Sequence, residues 1–436
     1  MKWSQQADQD VVQVVVMAFR NDVEYLRDAL MHISTKKWER SFYWLDASGM
    51  ALYLLRRLEE LGVADLLPPR VRARLVQNLA DNAERSVSML HEFKLLNRAF
   101  QDAGVEYCNL KGFTLSPNSC PHPSLRTQLD FDFLLNGADL KRCCEVLSTF
   151  GYALHASTDT VFEFKTYSDQ LADISNLYKP REQRSVELHF PCADGSDHQP
   201  RRDPRLQNLH SMNFEGFEIP TLSSADQLIG QATHILSHLC GPSTRLAWLL
   251  EFRNHLTFHS SDRAFLDEVL RRLDRDGRAE IAMGAVCLLT RILFDCPIPA
   301  AFECGPVQNL PPPIKLWINR YGSSSVLADF PGTKLHLLLR EQLESDTRTW
   351  ERERSRALLP LSRPPRIFPV KSDASLGKRI KSEFYQLRYE AFRLRFHIFQ
   401  GLAYLAESRR WRRLLKEHAA LPATSASLRS ETVPTR

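Results

Sequence analysis

The segment of residues 126–135 places two carboxylates two positions apart inside an apolar run, and this spacing strongly constrains the local fold. In a β-strand successive side chains alternate between faces, so Asp130 and Asp132 share one face and the neighbouring apolar residues share the other. Two such anions repel, and each raises the pKa of the other unless a cation lies between them. Carboxylate oxygens are ligands of Mg²⁺ and Mn²⁺. The pair therefore predicts a divalent metal site; the alternative is a solvated strand edge or turn.

Two further strand-like segments carry polar residues that suit metal or phosphate binding. Residues 105–110 lead into a Lys-Gly turn at residues 111–112, where glycine lets the backbone approach a ligand and lysine offers a charge suited to phosphate. In residues 185–190, Glu187 and His189 alternate with apolar residues and share a face. A function for this chain must explain three acids on strands.

At these residues the chain resembles nucleotidyltransferases of the DNA polymerase β superfamily, in particular a little-characterised family with Leu-Lys-Gly, Arg-x-x-x-Asp-x-Asp and Glu-Leu-His segments. The matching residues are Leu110, Lys111, Gly112, Arg126, Asp130, Asp132, Glu187, Leu188 and His189. The resemblance extends over about residues 38–255, roughly half of the chain. It implies an α+β fold in which a small mixed-sheet core is flanked by N-terminal and C-terminal helical regions.

The resemblance also implies a reaction, the transfer of a nucleoside monophosphate from an NTP to a hydroxyl group with loss of pyrophosphate. In that reaction Asp130 and Asp132 bridge two Mg²⁺ or Mn²⁺ ions, and Glu187 ligates the ion that activates the acceptor hydroxyl. His189 orients the acceptor or a carboxylate, with a buried structural histidine as the alternative. The acceptor stays open among a small molecule, a protein and RNA.

The Lys-Gly turn departs from the pattern of the superfamily. Its glycine is followed by Phe113, whereas most members have a Gly-Ser or Gly-Gly pair that cradles the triphosphate. We expect Thr114 and Ser116 to supply hydroxyl donors to the nucleotide, alongside the turn lysine. Arg126 precedes the acids and is expected to bind phosphate through its planar guanidinium, with a surface arginine as the alternative.

The composition is that of an ordinary soluble protein, with 43% apolar and 25% charged residues among 436 and a net charge of +5. No apolar run approaches the roughly 20 residues that span a bilayer, and the N-terminus lacks the apolar region of a signal peptide, so we expect a cytoplasmic protein. The nine cysteines form no Cys-x-x-Cys pair, which argues against a zinc site or a disulfide framework.

The length suggests two or three domains. We expect an N-terminal helical region at 1–100, a nucleotidyltransferase domain at 101–222, a helical domain at 223–354, a proline-rich basic linker at 355–377, a basic aromatic helix at 378–420 and a disordered tail at 421–436. Strands are expected at 105–110, 129–135, 161–167 and 185–190, with a hairpin at 208–220. Helical spacing is expected at 10–33, 85–100, 138–150, 223–270 and 279–294.

Residues 378–416 combine many arginines with regularly spaced aromatic residues. Such a segment can bind RNA, an acidic protein or an anionic membrane surface. The favoured alternative is an amphipathic helix whose aromatic side enters the core while its arginines are solvated. Two rival functions follow: a catalytically inactive nucleotide-sensing or protein-interaction module with the same fold, and an RNA-binding protein that uses this helix.

Two other pairs of residues are expected to be structural. His234 and His238 lie four residues apart, a spacing that can bind a metal, but no acid of a His-Glu-x-x-His motif lies between them. Arg245 and Trp248 are expected to pack the helical domain against the catalytic one.

Overall fold

The computed structural model describes residues 6–20, 22–166, 177–180, 184–191, 202–214, 216–359, 364 and 375–420. The described residues separate into two units. One draws on Lys2–Ser237 and Thr244–Leu310, and the other on His238–Ser243 and Pro311–Arg436. None of the described helices is both long enough and apolar enough to cross a bilayer. The expected tail at 421–436 and most of the expected linker at 355–377 lie outside the described residues.

Seven strands form one mixed sheet in the described part of the chain. They are β1 Tyr107–Leu110, β2 Asp130–Leu135, β3 Tyr152–Ser157, β4 Val161–Thr166, β5 Ser185–His189, β6 His210–Phe214 and β7 Phe217–Thr221. Their order is β3-β4-β5-β2-β1-β7-β6, with β2 parallel to β5, β1 parallel to β7 and the other neighbours antiparallel. A mixed sheet accompanied by many helices confirms the expected α+β class.

The helices precede, interrupt and follow the sheet in the chain. They are α1 Gln9–Met17, α2 Val23–His32, α3 Thr35–Ala47, α4 Met50–Glu60, α5 Pro69–Asp102, α6 Leu140–Thr149, α7 Ser224–Leu239, α8 Leu246–Phe258, α9 Arg263–Leu273, α10 Gly277–Phe294, α11 Ala300–Phe302, α12 Pro312–Trp317, α13 Ser323–Val326, α14 His336–Leu343, α15 Thr347–Leu358 and α16 Leu376–Ala420. The first turn of α5 contains Pro69, whose fixed backbone angle suits a helix start.

The core of the sheet lies between β2 and the long helix α5. The ring of Phe93 lies 5.7 Å from that of Phe131, and the ring of Phe100 lies 5.1 Å from that of Phe133. These contacts turn the odd-numbered residues of β2 toward α5 and the even-numbered residues toward the opposite face. Farther along that opposite face, Leu134 is buried in a second apolar cluster. The acids of β2 therefore lie on this opposite face, toward the start of the strand.

The second unit contains α16, where the expectation about aromatic residues is only partly correct. Trp411 is fully buried, with its ring 5.8 Å from that of Tyr321, and Tyr404 is also buried. In contrast, Phe384 is 61% exposed and Phe399 is 62% exposed. The expected burial of the aromatic side chains is therefore correct near the end of the helix and wrong for these two residues.

Candidate active site

Strand pairing brings the predicted site residues of three strands together. In the parallel pair β2 and β5, Asp132 lies directly opposite Glu187. In the antiparallel pair β1 and β2, Asp132 lies opposite Leu110, the residue before Lys111. The Lys111 Nζ atom consequently lies 3.5 Å from Asp132 Oδ1. Residues separated by more than 70 positions in the sequence thus meet around one carboxylate.

Asp132, Glu187 and His189 form a set of donors that fits a divalent cation. Their ligand atoms all lie within 4.8 Å of one another, and this is the one such group among the residues that the structure describes. His189 Nε2 lies 3.1 Å from Asp132 Oδ1 and 3.4 Å from Glu187 Oε2. Two carboxylates and an imidazole are typical ligands of divalent ions. Asp130 shares the face of Asp132 but is outside this group of three.

The electrostatics of the site distinguish the two acids of β2. Burial and then the negative charges of Asp132 and Glu187 raise the pKa of Asp130 to about 6. Burial also acts to raise the pKa of Asp132, but the positive charge of Lys111 and the hydrogen bond from His189 outweigh burial and lower it. Asp132 therefore keeps its negative charge to a lower pH than Asp130 does. The negative charge gathered around Asp132 favours the binding of a cation.

His189 is held between two acids. Burial acts to lower the pKa of His189, but its hydrogen bonds to Asp132 and Glu187 outweigh burial and raise it. Since an imidazole must be deprotonated to bind a metal, a cation at this site would compete with the proton on His189.

The Lys-Gly turn has a backbone that few residues adopt. Lys111 has a φ of 51° and Gly112 a φ of 56°, and a Cβ atom on Gly112 would lie 2.5 Å from Gln128 Nε2. Gln128 Nε2 in turn donates to the backbone oxygen of Asp130 at 2.9 Å. The hydroxyl of Thr114 donates to the Lys111 carbonyl at 2.8 Å. The left-handed backbone and the close approach of Gln128 therefore favour glycine at this position, and the Thr114 hydroxyl stabilises the turn from within.

Phe113, the residue that departs from the superfamily pattern, points into the core. It is 3% exposed, and its ring lies 5.1 Å from Phe93 and 5.7 Å from Phe214. The unusual side chain after Gly112 is consequently part of the hydrophobic core and does not project toward the acids. Ser116 follows the turn as a partly buried residue.

Arg126 is paired with an acid from α8. Its Nε atom lies 3.1 Å from Glu251 Oε1, and the Tyr53 hydroxyl donates to the same oxygen at 2.9 Å. Glu251 is 3% exposed, so this ion pair is largely removed from water. Sequence reasoning missed Glu251 because it lies 125 positions from Arg126 and has no motif around it.

Arg245 is a second arginine near the site, and the sequence analysis predicts only a packing role for it. Arg245 occupies the position before the first residue of α8, and its guanidinium carbon lies 5.5 Å from the centre of the Trp248 ring. Burial and then the positive charge of Arg126 lower the pKa of Arg245, while Asp130 and Glu251 act to raise it. Arg126 and Asp130 therefore both act electrostatically on Arg245. The His234 ring packs 4.7 Å from the Trp248 ring, in agreement with a structural role for His234.

The model of a known protein family matches more than half of the chain. No curated protein matches the chain. The sequence model of the family described as "Uncharacterised nucleotidyltransferase" matches residues 34–295. This region includes all seven strands, both acids of β2, Glu187 and the α8 residues beside Arg126. The chain therefore belongs to this uncharacterised nucleotidyltransferase family.

Proposed function

We propose that the protein is a metal-dependent nucleotidyltransferase that moves a nucleoside monophosphate from an NTP to a hydroxyl acceptor. The observation that carries this proposal is the grouping of Asp132, Glu187 and His189 beside Lys111. The donor set fits a hard divalent cation, and the neighbouring lysine fits the phosphates that such a cation brings with it. Family membership supports the same class of reaction.

Asp132, Glu187 and His189 are proposed to ligate a Mg²⁺ or Mn²⁺ ion, and Asp130 to contribute to a second ion shared with Asp132. When bound, such ions lower the pKa of an attacking hydroxyl and neutralise charge on the leaving phosphate oxygens. The imidazole of His189 distinguishes this set from an all-carboxylate site, and the two carboxylates suit Mg²⁺ and Mn²⁺.

The chain's own basic groups are proposed to position the nucleotide. Lys111 Nζ is partly exposed and lies at the edge of the donor set, where it can contact a phosphate oxygen. Arg126 is oriented by Glu251, which fixes its guanidinium on the Asp130 side of the site. Arg245, on the same side, is proposed as an additional phosphate contact. The backbone of the Lys-Gly turn carries the lysine, with Gly112 and Thr114 holding its shape.

A screen of the full chain with each of the four NTPs, in Mg²⁺ or Mn²⁺, tests the proposal. We expect metal-dependent thermal stabilisation by at least one NTP and release of pyrophosphate when an acceptor is present. Mass spectrometry of protein, RNA and small-molecule acceptors would identify the product. Asp132→Asn should abolish release, and Glu218→Gln, which alters an exposed acid of β7 in the same sheet, should not.

The same screen separates catalysis from nucleotide sensing. Nucleotide-dependent stabilisation without pyrophosphate release from any acceptor would favour an inactive nucleotide-sensing module. Absence of both stabilisation and release under all conditions would contradict the proposed function altogether.

A further inference from the structure

One face of α16 carries a continuous apolar stripe that is exposed among the described residues. The stripe consists of Ile380, Phe384, Leu387, Ala391, Leu394, Ile398, Leu402 and Leu405. Its seven large side chains are between 50% and 62% exposed. Successive members are three or four residues apart, so they extend over roughly 38 Å of one helix face. Monomeric proteins rarely expose a contiguous apolar patch of this extent.

The opposite face of α16 already packs within its own unit. Ser382, Gln386, Tyr404, Ser408 and Trp411 are all buried. The stripe is therefore a second apolar face, which the packing of the helix in its own unit does not use.

The stripe repeats with the period of a coiled coil. Ile380, Leu387 and Leu394 lie seven residues apart, and a second series of Phe384, Ala391, Ile398 and Leu405 also has a period of seven. From Ile380 to Ile398 the two series alternate at intervals of four and three residues, as the d and a positions of a heptad do. Gly401 occupies the next d position, and Leu402 lies one residue beyond it.

The charges beside the stripe have the same period and opposite signs on the two sides. Lys381, Arg388 and Arg395 follow one side, and Glu383 and Glu390 follow the other. In a parallel two-stranded coiled coil, the acidic side of one helix meets the basic side of the other. Glu383 then faces Arg388 of a second copy, and Glu390 faces Arg395. An antiparallel pair would instead bring the three basic residues of the two copies together.

This pattern also distinguishes a protein partner from a lipid surface. A helix that lies on an anionic membrane carries basic residues along its whole polar border. Here one border is acidic over residues 383–390. We propose that a second copy of this chain docks on the stripe, and that residues 380–405 of the two copies form a parallel two-stranded coiled coil.

The oligomeric state of the full chain tests the proposal directly. Sedimentation equilibrium at micromolar concentration should give a dimer, and Leu387→Glu with Leu394→Glu should weaken self-association by at least about 100-fold. Both leucines are more than 60% exposed, so the double variant should keep the thermal stability of the monomeric fold. Phe399→Glu is the matched control, since Phe399 is equally exposed on the same helix but lies off the stripe. It should leave the dimer intact.

A charge exchange tests the parallel arrangement. Arg388→Glu with Arg395→Glu should weaken self-association, as should Glu383→Lys with Glu390→Lys, with melting curves confirming that each variant is folded. Mixing the two variants should restore a dimer that contains one chain of each. A wild-type chain that stays monomeric, or a dimer that tolerates both glutamates in the stripe, would overturn the proposal.

Vesicle flotation decides the remaining alternative. If the monomeric chain floated with phosphatidylserine vesicles and the Leu387 and Leu394 double variant did not, the stripe would be a membrane-binding surface. That result would contradict the proposed coiled coil.

Discussion

At the scale of single residues, Lys111 combines an unusual backbone with a position beside the proposed metal ligands. Its φ of 51° is adopted by few residues other than glycine, and such strain persists only where the surrounding structure enforces it. The pairing of β1 with β2 and the packing of Gly112 on Gln128 supply that constraint. The strained backbone directs a lysine toward Asp132, and this arrangement is consistent with a phosphate-binding role.

Lys111→Ala should weaken NTP binding by about 1.5 to 3 kcal/mol, the usual contribution of a charged hydrogen bond. Alanine keeps the Cβ atom, so the backbone strain at this position is unchanged. Calorimetric titration of an NTP would measure the loss, with Lys141→Ala as a control because that side chain is 90% exposed on α6. Cation binding without nucleotide should not weaken, since Lys111 donates nothing to the ion. Unchanged nucleotide affinity would show that Lys111 does not contact the nucleotide.

Gly112→Ala should lower the free energy of unfolding by about 1 to 3 kcal/mol. The left-handed backbone alone costs about 1 to 2 kcal/mol for a residue with a side chain, and the added Cβ would meet Gln128 Nε2 at 2.5 Å. Gly104→Ala isolates the backbone effect, because Gly104 has a φ of 64° and open space around its Cβ position. Denaturant unfolding of both variants measures the difference. Equal losses would mean that Gln128 moves aside without cost.

At the scale of elements, a chain of hydrogen bonds joins α7 to α8. Gln231 Nε2 donates to His255 Nδ1 at 2.8 Å, so the proton of the neutral His255 ring lies on Nε2 and is donated to Ser224 at 2.9 Å. The Ser224 hydroxyl is then free to donate to His259 Nε2, also at 2.9 Å. A protonated His255 cannot accept a hydrogen bond from Gln231, so the bond between these two side chains exists only while His255 is neutral.

This network should make the protein sensitive to acid. Burial and then the nearby His259 lower the pKa of His255 to about 3, so below its ordinary pKa the unfolded chain binds a proton that the folded chain refuses. Stability therefore falls as the pH drops, by about 2 kcal/mol between about pH 7 and pH 4.5 from this group. His255→Gln should be less stable at neutral pH but should lose less stability on acidification. His155→Gln, on the exposed strand β3, should retain the wild-type pH dependence in the same urea titrations.

The strands of the sheet differ in how clearly their sequences indicate them. The strands β1, β2, β4 and β5 and the β6–β7 hairpin follow the expected segments, because buried and exposed positions alternate or an apolar run is bounded by turn residues. The sequence pattern does not indicate β3, in which only Tyr152 is buried. Its pairing with β4 is a tertiary effect that a local pattern does not contain.

The candidate site likewise combines features that the local sequence predicts with features that depend on tertiary packing. The alternation along β2 and β5 predicts that Asp132, Glu187 and His189 face one side, and the strand register brings them together. Pairing between distant segments is not encoded by local spacing. The contact of Arg126 with Glu251, and the position of Arg245 near both arginine and acid, depend on how α8 packs against the sheet.

At the scale of the whole molecule, the positive charge is small but unevenly distributed. The net charge is only +5, yet α16 carries Arg409, Arg410, Arg412 and Arg413 in an exposed cluster near its end. Such a cluster is the usual basis for a nucleic-acid hypothesis. The apolar stripe of α16 ends at Leu405, before this cluster begins, so the two features can be tested separately.

Changing these four arginines together to glutamine should leave the affinity of the chain for RNA and its salt dependence unchanged. A dedicated RNA site would lose nearly one unit of slope in a plot of log affinity against log salt for each phosphate contact removed. Fluorescence anisotropy with a labelled RNA over a range of salt concentrations measures this slope. A clear flattening in the variant would establish RNA binding by α16.

Under the proposed function, the inward position of Phe113 has a consequence for how a nucleotide would meet the Lys-Gly turn. Its ring anchors the turn in the aromatic cluster that also contains Phe93, so the backbone there is fixed before any ligand arrives. Little main-chain freedom then remains to be lost on binding. The entropy cost of recognition at this point falls on the four-carbon side chain of Lys111, which must give up its rotamers to reach a phosphate.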